Sequence, residues 1–353
     1  MLNNFKNKLL WILYYRYKPI AYRDEEGTYS FLQKVLMVFN FTYTKVFGKY
    51  WSMNRIKDKV EYDCDTISEI IFSKLSSDDP CMIARYGLAE MYIVANSLAI
   101  RSKHRNFIRV ITGQDFYWWW NKPSKEAIYK NAGFFPKHDD TLLHKFSDLM
   151  VSISNDADVL LASTGLEPFF IKNNANVVLT GLQEAEPWWS INPWTRVLSD
   201  KKVVVVSPLA ELIEKQYKKN NLLFKNKNTL PNFHIRTVKA IQSLGGVNSQ
   251  FENWFDALDW MEAEIFKEDF DIALIGCGAY GYPLAAYVKR KGKKAFHMGG
   301  VLQMLFGIKG ARWEDKSYHP KFDYTKLFNE AWVKPGDKYK PIIAKEVENG
   351  CYW

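Results

Sequence analysis

The chain has 353 residues, of which 47% are hydrophobic and 25% charged. That is enough apolar material for one large core or two modest ones, and far from the profile of a disordered chain. An excess of 48 Lys and Arg over 39 Asp and Glu gives a formal charge of +9, which suits nucleic acid, an anionic membrane face or a negatively charged small substrate. No zinc-finger spacing, RNP signature or basic-region heptad accompanies that charge, so nucleic acid is not an expected partner.

The N-terminal stretch MLNNFKNKLLWILYYRYKPIAYR has an apolar core only from Leu9 to Tyr15. A bilayer span takes about 20 residues, and no small-residue cleavage site follows, which argues against a signal peptide. Lys6, Lys8, Arg16, Lys18 and Arg23 flank the core. Two readings follow: a first helix packed on the domain, or a segment lying on an anionic membrane surface. Residues 1–75 as a whole read as a helical, aromatic and basic extension. It ends in KLSSDDP, where Pro80 marks entry to something new. The four cysteines, Cys64, Cys81, Cys277 and Cys351, form no C-x-x-C pair. Reduced thiols in a cytoplasmic protein are expected, peripheral to the inner membrane face if the basic segment docks there.

From residue 76 short apolar runs alternate with helical patterns. The runs are CMIAR (81–85), DVLLAS (158–163), NVVLTG (176–181), KVVVVS (202–207), FHIRTV (233–238), DIALIG (271–276) and KAFHM (294–298). Continuous Val, Ile and Leu suit strands buried on both faces. PLAELIEKQYKK and WFDALDWMEAEIFK between them carry the three- and four-residue spacing of helices. An α/β domain over 76–310 is expected, Rossmann-like, with a mostly parallel sheet and helices on both faces. Residues 311–353 read as an irregular cap or tail packed on that domain.

Open α/β sheets bind ligands beyond the carboxyl ends of their strands. Those ends carry Arg85-Tyr86-Gly87, Ser163-Thr164-Gly165, Thr180-Gly181, Ser207-Pro208, Gly276-Cys277-Gly278 and His297-Met298-Gly299-Gly300. Gly276-Cys277-Gly278-Ala279-Tyr280-Gly281 matches G-x-G-x-x-G directly after a strand and before a helix, the context in which this pattern meets phosphate. A nicotinamide enzyme would place an acidic residue at the end of the next strand. His297 stands there instead, and NAD is not expected.

These residues bring a resemblance into view. Ile83-Ala84-Arg85-Tyr86-Gly87-Leu88-Ala89-Glu90 resembles the R-F-G-D-G-E segment of bacterial glycosyltransferases of the GT-D type. IALIGCGAYGYPLAAYVKRKGKKAFHMGG resembles that family's late strand, glycine turn, helix and following strand, and NAGFFPKHDDTLLHKF is similar to a stretch linking the two. The resemblance spans about residues 80–305. It implies a nucleotide-sugar donor, a glycan or glycosylated acceptor in surface polysaccharide or glycoprotein biosynthesis, and an Asp-x-Glu pair serving Mn²⁺ or Mg²⁺ and the donor diphosphate. Here Leu88 stands where the family has Asp, and Glu90 alone matches, so either one carboxylate with phosphate and water holds the metal, or Arg85 and backbone amides take the leaving diphosphate's charge without one.

The residues so singled out for the donor are Arg85, Tyr86, Gly87, Ser207, Gly276, Gly278, Tyr280, Gly281, Gly299 and Gly300. Glu90 is the candidate catalytic and metal-holding carboxylate, and His297 the candidate base. Each has a plainer alternative. Arg85 could form a surface ion pair, Glu90 could favour a helix dipole, and His297 could be a satisfied core histidine. Asp139 in His138-Asp139-Asp140 suits a helix N-cap. The clusters Tyr117-Trp118-Trp119-Trp120, Pro187-Trp188-Trp189 and Trp194 could be core or a saccharide platform. A scaffold that binds the donor without turning it over stays open beside the enzyme.

Overall fold

The computed structural model describes residues 29–56, 60, 62–171, 176–246, 248, 250–340 and 352. The apolar segment Leu9 to Tyr15 and its basic flanks lie outside the described residues. Among the described residues no helix is long and apolar enough to cross a membrane.

The chain groups into two compact units, 1–51 with 99–118, and 52–98 with 119–353. In the first, helix α1 (Phe31–Phe47) starts at a capping box: Ser30 Oγ accepts from Gln33 N, and Gln33 Oε1 accepts from Ser30 N at 2.8 Å. Asn40 on α1 donates to Val110 O at 2.8 Å and accepts from Tyr117 OH at 3.1 Å, which joins the two stretches of this unit. The grouping differs from a boundary at residue 75. Helix α2 (Cys64–Ser76) belongs with the sheet, because Ile67, Ile71 and Leu75 are buried in its core.

The second unit is built on seven strands: β1 (Cys81–Arg85), β2 (Val159–Ala162), β3 (Val178–Gly181), β4 (Lys202–Ser207), β5 (His234–Lys239), β6 (Ile272–Ile275) and β7 (Lys294–His297). They form one sheet in the order β3-β2-β1-β7-β6-β4-β5, with every pairing parallel. Each matches one of the seven apolar runs to within two residues. The interior strands are buried on both faces, which is why they read as continuous rather than alternating apolar sequence.

Alternate side chains divide between the faces. Ile83, Leu161, Val203, Val205, Leu274 and Phe296 share a core with α2, Trp194 and Ile213 of helix α5 (Ala210–Tyr217). That core also takes in Trp313, Tyr324 and Trp332 of the C-terminal segment. This segment is tied to the domain by the Ile308–Val333 bridge and by Gln216 Nε2 donating to Ala331 O at 2.9 Å. Helix α7 (Gly281–Arg290) packs against β1, β6 and β7 and meets helix α6 (Trp254–Ile265). The basic tract at its end is held by carboxylates: Lys289 to Asp158 at 2.7 Å, Arg290 to Asp156 at 2.6 Å and Lys293 to Asp269 at 2.7 Å.

Candidate functional site

The strand order decides which loops meet. β1 and β2 run outward to β3 on one side, β4 and β5 lie at the other, and β6 and β7 fill the middle. The carboxyl ends of β1, β7, β6 and β4 are therefore successive neighbours, at the place where a doubly wound sheet binds its ligand. Two adjoining cavities lie there. One, of about 390 Å³, is lined by Arg85, Gly87, Leu88, Glu90, His297 and residues of the 123–132 segment. The other, of about 150 Å³, is lined by Ser207, Leu209, Ile241, Gln242, Gly276, Tyr280 and their neighbours. Asn131, Ala132, Gly278, Gly299, Gly300 and Tyr352 line both.

The glycine turn shapes this floor. Gly278 takes φ +60°, a backbone conformation that costs glycine little. Gly281 begins α7 directly against the ring of His297, where a Cβ would stand 2.0 Å from Cε1. The third glycine thus lets helix and strand approach closely and lines neither cavity, whereas Gly276 and Gly278 line the cavities themselves.

Arg85 leaves the end of β1 and lies over Gly299, whose added Cβ would be 3.1 Å from Arg85 Cδ and 3.2 Å from Nη1. Among the described residues its hydrogen bond runs from Nε to Tyr86 O at a long 3.4 Å. No carboxylate of the described residues pairs with it, so the surface ion pair is not formed. The guanidinium faces the larger cavity with its donors largely unspent.

Glu90 occupies the third position of helix α3 (Leu88–Arg101) and is buried, with 8% of its surface exposed. Its carboxylate folds back on Gly87, where an added Cβ would lie 2.0 Å from Oε2. That is the position from which a carboxylate favours a helix start, yet it also lines the cavity. Leu88 is half exposed at the same rim. Among the described residues no three His, Cys, Asp or Glu side chains cluster as a metal site. A divalent ion beside Glu90 would need phosphate and water oxygens for the rest of its shell.

His297 is enclosed, and its Nδ1 lies 3.2 Å from Ile275 O, which fixes that nitrogen as the donor. Burial, with the nearby Arg85 charge, lowers its pKa from 6.5 to about 3. The imidazole is neutral at physiological pH and a weak proton acceptor, which weighs against the expected base.

Tyr86 lies apart from the cavity wall. Its ring is buried, stacked on Tyr282 at 4.1 Å and near Phe170 at 5.4 Å. Tyr280 stacks on Trp254 at 4.7 Å and its hydroxyl is 3.0 Å from Ser243 Oγ, so it supports the smaller cavity from beneath. Ser207 Oγ accepts from Leu209 N at 3.1 Å, turning the chain out of β4. The end of β2 is filled from within: Glu167 Oε1 accepts from Ser163 N and Thr164 N at 2.8 and 2.9 Å. Asp139 is the N-cap of helix α4 (Asp140–Ser152), as expected.

Comparison with family models, curated proteins and solved structures found no match. The likeness to GT-D glycosyltransferases therefore stands on the two sequence motifs.

Several wall residues carry no motif. Tyr352, from the far end of the chain, lies over Gly300 and accepts at its carbonyl from Gln303 Nε2 at 3.2 Å. Asn131 and Ala132 follow a helix at Lys122–Lys130 and fall within the stretch already similar to the family's linking segment. Within the aromatic clusters Trp119, Trp188 and Trp194 are buried and serve packing, Trp194 at 4.8 Å from Phe296, whereas Tyr117, Trp118, Trp120 and Trp189 are half-buried. Among the described residues the exposed tryptophan is Trp260, in a recess beyond β5 that shares Pro208, Ile241 and Gln242 with the smaller cavity.

A buried carboxyl also escaped the sequence reading. Glu186, after β3, accepts from Trp189 Nε1 at 2.8 Å and meets Tyr324 OH at 2.8 and 2.9 Å. Burial raises its pKa from 4.5 to about 8. It lines neither cavity at the sheet end.

Proposed function

We propose that the protein is a nucleotide-sugar-dependent glycosyltransferase acting in the biosynthesis of a surface polysaccharide or a glycoprotein glycan. The observation that carries this reading is Arg85, which has no carboxylate partner among the described residues and faces a glycine-built floor at the carboxyl ends of β1, β6 and β7. A planar guanidinium forks onto phosphate oxygens, and glycine backbone lets those oxygens approach closely. The donor diphosphate lies across Gly278, Gly299 and Gly300, the glycines that line both cavities. Arg85 then stabilises the negative charge that grows on the departing nucleoside diphosphate. Glu90, in the same cavity, is the carboxylate this reading assigns to the sugar or to Mn²⁺ or Mg²⁺. In this reading the enzyme works in the cytoplasm, peripheral to the inner face of the membrane.

A second reading, a donor-binding protein without turnover, is favoured by one feature. Leu88 leaves Glu90 as a single carboxylate, and that carboxylate is folded onto Gly87. Release of nucleoside diphosphate from a panel of donors, with and without Mn²⁺, separates the two. The enzyme reading expects release that Arg85→Ala abolishes. Donor binding with no release under any condition would leave only the second reading.

A further inference from the structure

The two adjoining cavities differ in charge. The larger holds Arg85, Glu90 and His297, whereas the side chains lining the smaller include no Lys, Arg, Asp, Glu or His at all. Leu209, Ile241 and Leu302 supply apolar wall, and Asn131 and Gln242 offer neutral amides at the rim. Between them the shared floor is the backbone of Gly278, Gly299 and Gly300. A ligand that spans both cavities must therefore be anionic at one end, uncharged and partly apolar at the other, and thin where it crosses the glycines.

We infer that the smaller cavity, over the ends of β4, β6 and β7, is the nucleobase subsite, so that the donor lies with its base toward β4 and β5 and its sugar toward β1. The inference rests on the donor reading above. A nucleobase is a neutral heterocycle whose faces gain from apolar burial and whose edges pair with amides. The cavity's volume of about 150 Å³ matches it, since an engineered protein cavity of about that size takes up one benzene ring. A diphosphate could not be buried there without a cation or a ring of free N–H groups, because an uncompensated charge is costly out of water. Arg85 supplies that cation in the neighbouring cavity. A sugar, richer in hydroxyls than the small cavity is in polar partners, is better met beside Glu90 and Arg85. Ile241 and Gln242, in the loop after β5, become the side chains that meet the base. They sit where neither motif of the sequence points.

The test uses the full chain and measures binding by calorimetry, with UDP, CDP, ADP and GDP, their free nucleosides, and inorganic pyrophosphate as probes. At least one nucleoside diphosphate binds at least about tenfold more tightly than pyrophosphate, or about 1.4 kcal/mol. Ile241→Trp, which fills the smaller cavity, brings that ligand to the pyrophosphate level and leaves pyrophosphate itself unchanged. Arg85→Ala weakens both. Gln242 is exposed, and Gln242→Ala changes the order of preference among the four bases with little effect on folding. If both loop variants bind every nucleoside diphosphate as the unaltered protein does while Arg85→Ala binds none, the base lies elsewhere and the donor reading survives. If the unaltered protein binds neither pyrophosphate nor any nucleoside diphosphate, the donor reading fails and this assignment fails with it.

Discussion

Replacing Glu186 by glutamine isolates the cost of holding a carboxyl group in the core. Trp189 Nε1 donates to Oε2 at 2.8 Å. Tyr324 OH donates to both oxygens, at 2.9 and 2.8 Å, so a glutamine whose carbonyl oxygen takes the Oε2 place keeps accepting from both rings. The folded pKa of about 8 lies above the ordinary 4.5, so between those values the folded protein holds a proton that the unfolded chain has released. Stability from this group is fully present below about pH 4.5 and is lost as pH rises toward 8. At about 1.4 kcal/mol per pH unit, on the order of 3 kcal/mol has gone by pH 7. Glu186→Gln carries no such loss. Urea unfolding at pH 5, 6, 7 and 8 should show the variant close to the unaltered protein at pH 5 and increasingly more stable above it, with the gap approaching that magnitude by pH 7. A gap that does not grow with pH, or a variant less stable at pH 8, refutes the argument.

Gly281→Ala forces a methyl group onto the His297 ring and should destabilise the fold by about 1–3 kcal/mol, as overpacking does; thermal unfolding checks this, and an unchanged midpoint would show that the ring moves aside. His297 should show no ring titration between pH 5 and 8 by NMR, given its lowered pKa of about 3. A titration near pH 6.5 would restore it as a candidate base. Arg85→Ala should weaken pyrophosphate binding about ten- to a hundredfold, the scale of a lost charged hydrogen-bond pair, and Arg85→Lys should recover only part because it loses the fork; calorimetry reads both. Leu88→Asp restores the carboxylate pair of the resembling family at an exposed position, and should make donor turnover more responsive to Mn²⁺ in the release assay.

The strands were legible because a parallel sheet buries both faces, and runs such as KVVVVS and DIALIG have few other uses. Their order was not, since no local pattern records that β7 lies between β1 and β6. Without that order Arg85 and Gly299, more than 200 residues apart, could not be placed in contact. The glycine turn was legible as a unit, but the separate duties of its glycines were not: Gly281 faces His297, while Gly276 and Gly278 face the cavities. Tyr86 looked like a ligand contact because it follows a strand end, and alternation of side chains across the sheet turns it into the core instead. Glu186 lay hidden because only the fold brings Tyr324 to it from 138 residues away.

Direct binding measured by calorimetry, with nucleoside diphosphate sugars, free sugars and NAD offered separately to the full chain, tests the central claim. The site predicts binding of at least one nucleoside diphosphate sugar, weakened about ten- to a hundredfold in Arg85→Ala, and no comparable binding of free sugars or NAD. Tighter binding of NAD, or equal binding of free sugar, would contradict it.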